Sequence, residues 1–142
     1  MTRTAWGAVG VAALLSAACA TSSGVAPSAE YDLRVTDRPS LSRFDLELTA
    51  RESPLCFGIA QWPDRQGRVQ GSARAVVVTE RGRFPARDFN FGYCQGKSCT
   101  IRVPARGKIT GFVGYSQFPV DADLDATRSR SLEYNLNPYT CR

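Results

Sequence analysis

Histidine is absent from this 142-residue chain, and its single methionine is Met1. Without imidazole there is no Ser-His-Asp or Cys-His nucleophile pair, no imidazole metal ligand, and no side chain that titrates near neutral pH unperturbed. The missing methionines remove thioether copper sites as well. Lysine is scarce, with Lys97 and Lys108 the two present, so arginine carries nearly all of the positive charge. Beyond residue 20 no apolar run approaches the about 18–20 residues that cross a bilayer core as a helix. Cys94 and Cys99 are spaced too widely for the Cys-x-x-Cys motif of redox catalysts, so a structural staple is the expectation there. No internal repeat is visible.

What is present begins with an address. Arg3 supplies a positive start, and Ala5 to Ala18 form an uncharged run of small and apolar residues. This predicts an export signal over residues 1–18, removed rather than folded. Leu14-Leu15-Ser16-Ala17-Ala18-Cys19 resembles the lipobox of bacterial lipoproteins, in which two small residues precede a cysteine whose thiol receives diacylglycerol before cleavage. The resemblance covers only this segment, and Ser16 stands where the family usually has leucine. It implies that Cys19 becomes a lipidated N-terminus that holds the protein in the cell envelope, at an outer membrane and facing the periplasm. The competing reading is ordinary cleavage after Ala20, because Ala18-Cys19-Ala20 also satisfies the small-x-small rule, and it gives a soluble periplasmic or secreted protein. Residues 19–29 include the small, polar, uncharged stretch Thr21–Ser28, the composition of a flexible tether.

Residues 30–142 are expected to form one domain. A content of 43% hydrophobic and 22% charged residues is that of a globular chain. Phe44, Leu46 and Leu48 alternate with Asp45 and Glu47, the pattern of a half-buried strand. Ala75–Val78, Thr100–Val103, Ile109–Tyr115 and Leu132–Leu136 are further strand candidates, Leu55–Ile59 reads as a buried apolar segment entering a loop, and Phe89–Tyr93 is expected to pair with Thr100–Val103 around a stapled turn. Only Ser116 to Arg130 has room for a short helix. The predicted fold is all-β: a small antiparallel β-sandwich, immunoglobulin-like or an open barrel, of about six to eight strands. With Cys19 set aside, four cysteines remain, and an exported protein pairs them. Three connectivities exist. Cys94 and Cys99 flank a turn and are expected to bridge locally, which leaves Cys56 for Cys141.

For function the sequence offers less. Arg81, Arg83 and Arg87, interleaved with Phe89, Phe91 and Tyr93, are a candidate binding surface for an anionic envelope component or another envelope protein. The competing expectation is that the alternate aromatics are core and the arginines solvated. Asp121, Asp123 and Asp125 have the spacing that opens a calcium loop, but Ala126 replaces its glycine and Leu132 its closing glutamate, so a solvated acidic loop is expected. The chain is accordingly expected to be non-enzymatic, without metal or cofactor, to meet a membrane through its N-terminal lipid and to avoid nucleic acid, acting as a structural or binding module. An inhibitor module resembling small periplasmic lysozyme or protease inhibitors is the first alternative. Against it, a domain whose net charge is +5 before Arg3 is lost would meet cationic lysozyme with like charge. A glycosidase using Glu52, Asp64 or Asp88 is the second, although nothing in the sequence pairs them.

Overall fold

The structure is a computed structural model that describes residues 30–92, Cys94, Gly96 and 99–141. The segment expected to be an export signal, Cys19, the segment expected to be a tether and Tyr93 lie outside the described residues. Nine strands form among these residues: β1 (Tyr31–Arg38), β2 (Arg43–Ala50), β3 (Leu55–Gly58), β4 (Ala75–Thr79), β5 (Gly82–Pro85), β6 (Thr100–Val103), β7 (Lys108–Gly114), β8 (Arg130–Tyr134) and β9 (Tyr139–Thr140). They make three antiparallel three-stranded sheets, in the orders β1-β2-β7, β6-β3-β9 and β5-β4-β8.

Alternation dictates the first sheet. Phe44, Leu46, Leu48 and Ala50 are buried, while Arg43, Asp45, Glu47 and Thr49 between them point to the other face. These apolar residues meet Leu55 and Phe57 of β3, Val77 of β4, Val103 of β6 and Leu132 of β8 in one shared core. Each such side chain contributes about 1.5–3 kcal/mol by leaving water. Leu132, Tyr134 and Leu136 share the buried face, as their even spacing requires.

Both disulfides form as expected. Cys56–Cys141 has a Cα–Cα distance of 5.2 Å and Cys94–Cys99 one of 5.5 Å, inside the usual range of about 4.4–6.8 Å. The first ties the C-terminal segment to β3, where Cys141 N–H also donates to the Pro54 carbonyl.

Two local expectations change. Phe89–Gly92 is not a strand, and β6 pairs with β3 instead of forming a hairpin around the stapled turn. The backbone of the aromatic segment is already used: Phe89 N–H donates to the Val69 carbonyl, and Gly92 N–H to the Asn90 side chain. The stretch from Ser116 to Arg130 holds no α-helix, only isolated 3-10 turns at Tyr115–Gln117 and Val120–Ala122. Asp123 ends the second turn in the left-handed conformation, φ 46°. The Asp123 carbonyl accepts one helix-type bond from the Thr127 N–H and another from the Thr127 hydroxyl, but the turn goes no further, because the Arg130 side chain takes the carbonyls of Leu124 and Thr127.

Candidate binding clefts

The loop after β3 organises the surface. Asp64 folds back on its own segment, accepting hydrogen bonds from the backbone N–H groups of Gln66 at 2.9 Å and Arg68 at 2.8 Å and from the Arg68 guanidinium at 2.7 Å. Partial burial opposes ionisation of this carboxyl, but the Arg68 N–H, the Arg68 guanidinium and the Gln66 N–H outweigh it and hold the group below its ordinary range. Gly67, at φ +72°, lies so close to β7 that a Cβ there would come within 2.4 Å of the Phe112 ring. Gly111 of β7 makes the matching approach, since a Cβ there would lie 2.8 Å from Trp62 Nε1. Trp62 is thereby held against β7, and its ring meets Phe57 at 5.9 Å and Tyr134 at 6.1 Å.

Two clefts open on either side of this loop, and Trp62, Pro63, Asp64 and Arg65 line both. One, of about 850 Å³, lies on the outward face of the β1-β2-β7 sheet, with Arg34, Arg38 and Arg43 in its floor and Phe112 in its wall. The other, of about 870 Å³, is bounded by Ile59, Ile101, Phe89, Phe91 and the Cys94–Cys99 bridge. Phe89 and Phe91 pack at a tilt of 46° with ring centroids 5.4 Å apart, and the Arg68 guanidinium lies 3.8 Å over Phe89. Both volumes are of the size that holds small ligands, about 300–1,000 Å³.

The candidate surface read from the sequence is divided. Phe89 and Phe91 line the second cleft. Arg81 instead pairs with Asp123 at 3.1 Å, and Arg83 makes two bonds to Glu133, at 2.8 and 2.5 Å. Arg87 is exposed outside both clefts, its backbone N–H bound to the Gln117 carbonyl. Arg34, Arg43 and Arg65 were not singled out in the sequence. For Arg34 and Arg43 the signal is there, as arginine at outward positions of alternating strands, but it gains meaning only once the register sets the strands side by side; Arg65 lies in a loop and carries no such signal.

The carboxylates weighed for catalysis each serve a different local contact. Glu52 pairs with Arg106 on the open surface, Asp64 ties its loop, and Asp88 accepts the Gly71 N–H at 2.6 Å. Among the described residues no three His, Cys, Asp or Glu side chains are grouped to hold a metal ion, and no helix is long and apolar enough to cross a membrane. In comparisons with known proteins the chain matches no family model, no curated protein and no solved structure. Fold and clefts together define a small all-β domain with two disulfides, which belongs to an oxidising compartment.

Proposed function

We propose that this chain is an exported, lipid-anchored binding module of a cell envelope, non-enzymatic, which takes its ligand in the clefts beside the Trp62–Arg65 loop. The observation that carries the reading is the loop itself. Two close approaches that only glycine permits, at Gly67 and Gly111, hold it between two ligand-sized clefts. A domain with a merely structural role has no need of Phe89 at its surface with a guanidinium parked over it. The lipobox-like segment and the tether supply the anchor and the reach.

Palmitate supplied to cells is expected to label the protein, and Cys19→Ser to abolish the label; an unlabelled mature chain beginning at Thr21 refutes the anchor. For the binding role, the wild-type protein is expected to retain material from an envelope extract that the Phe89→Ala/Phe91→Ala variant does not. Equal retention by the two removes the second cleft from the reading.

A further inference from the structure

We propose that the outward face of the β1-β2-β7 sheet, together with Arg65, binds a multivalent anion bearing phosphate or carboxylate groups. The inference rests on the reading of the domain as a binding module and names the ligand class of its first cleft.

Register creates the charge. Arg38 of β1 stands directly opposite Arg43 of β2, and Arg34 opposite Glu47. Like charges directly across a strand pair repel, since their Cβ atoms are about 4.5–5.5 Å apart. One carboxylate serves both: Asp45 meets Arg38 Nε through Oδ2 at 3.2 Å and Arg43 Nε through Oδ1 at 2.8 Å. The other two carboxylates of the cleft are engaged by cations outside it. Glu47 binds Lys108 at 3.2 Å, and Asp64 binds Arg68 at 2.6 Å. Asp45 is therefore the one carboxylate left to the four guanidinium groups of the cleft, and it reaches two of them, Arg38 and Arg43. Among the described residues no acidic side chain lies within ion-pair distance of Arg34 or Arg65.

This arrangement suits oxyanions. A guanidinium offers a planar fork of donors that matches carboxylate and phosphate, and such charge-assisted pairs are about twice as strong as neutral ones. Phe112 and Trp62 give the cleft an apolar wall, and Arg43 lies 4.8 Å over the Phe112 ring, which restricts it before any ligand arrives. The span requires more than one charge. Arg34 and Arg38 are four residues apart on an extended strand, about 13 Å at the strand rise of about 3.3 Å per residue, so no single phosphate or carboxylate reaches both ends.

Trp62 provides the readout, because it is the sole tryptophan once the segment bearing Trp6 is cleaved, and in an uncleaved chain once Trp6→Phe is introduced. Titrated at low salt with tripolyphosphate and with an oligogalacturonate, that chain is expected to show a saturable change in emission with at least one of them, and binding about ten-fold weaker with inorganic phosphate. Which of the two binds tells phosphate from carboxylate as the preferred group. Arg34→Gln is expected to weaken binding about ten-fold and Arg34→Gln/Arg65→Gln about a hundred-fold, with unchanged melting temperature. Arg102→Gln/Arg128→Gln, exposed and outside both clefts, is expected to leave affinity as it was. The proposal is overturned if neither polyanion binds saturably, if the Arg34 and Arg65 variants bind normally, or if the Arg102/Arg128 variant loses as much. Should that happen while Phe89→Ala/Phe91→Ala still abolishes retention of envelope material, the anion site falls and the binding module stands.

Discussion

Replacing Asp37 with alanine is expected to destabilise the domain by about 3–5 kcal/mol, the cost of leaving a buried charge without its partner. Strand alternation turns Asp37 toward the core, opposite the fully buried Phe44. There its Oδ2 meets Arg130 Nε at 2.8 Å and its Oδ1 accepts the Tyr115 hydroxyl, while the Arg130 side chain is only 9% exposed. Arg130 also caps the carbonyls of Leu124 and Thr127, so this one guanidinium ties β1, β8 and the loop between the 3-10 turns and β8. A loss of that size consumes a large share of the about 5–15 kcal/mol that holds a domain folded. The contrast is Glu52→Ala: Glu52 and Arg106 are 79% and 77% exposed, and a pair in water contributes about 0–1 kcal/mol. Denaturant unfolding of the two variants measures the difference, and equal midpoints would show that Asp37 contributes no more than a surface charge.

The same cluster makes stability sensitive to high pH. Burial, then the hydrogen bond to Asp37 and its charge, push the Tyr115 phenol up from 10.0 to about 12. The folded protein thus holds this proton more tightly than the unfolded chain does. The stabilisation is fully present below pH 10 and is lost as pH rises through about 12. Tyr134, also raised by burial, titrates in both proteins when wild type is compared with Tyr115→Phe, so the comparison isolates Tyr115. The gap in unfolding free energy between the two is expected to be widest near neutrality and to narrow between pH 10 and 12. A constant gap refutes the assignment.

How much of this was legible follows from how far apart the partners lie. β2 is readable because Phe44 to Ala50 carries its own alternation, and the cysteine pairs because a local bridge leaves a single remaining choice. Asp37-Arg38-Pro39 has the composition of a turn. β1 instead runs through Arg38, because Arg130, 93 residues away, neutralises the inward carboxylate. Arg81 and Arg83 misled for the same reason, as their partners Asp123 and Glu133 lie 42 and 50 residues further on. The aromatic burst was recognised but not its conformation, which depends on the Val69 carbonyl. Charge in a sequence is local, whereas its neutralisation is tertiary.

Removing the long-range disulfide is expected to cost far more stability than removing the local one. Cys56 and Cys141 are 85 residues apart and Cys94 and Cys99 five. Loop-closure entropy in the unfolded chain then assigns about 4.5 kcal/mol to the first bridge and about 2 kcal/mol to the second. Folded-state geometry widens the gap. β9 is two residues long at the edge of its sheet, pairing only with β3 through Leu55 and Cys56, so Cys56→Ser/Cys141→Ser also frees the segment that carries Pro138 into the core. Cys94 is exposed, and its bridge borders the aromatic cleft, so Cys94→Ser/Cys99→Ser is expected to leave the core intact and act on that cleft instead. Guanidinium unfolding of the two double variants measures the order, after non-reducing peptide mapping has established the pairing in the native protein. A larger loss from the local pair would mean that the Cys94–Cys99 bridge supports the fold rather than the cleft it borders.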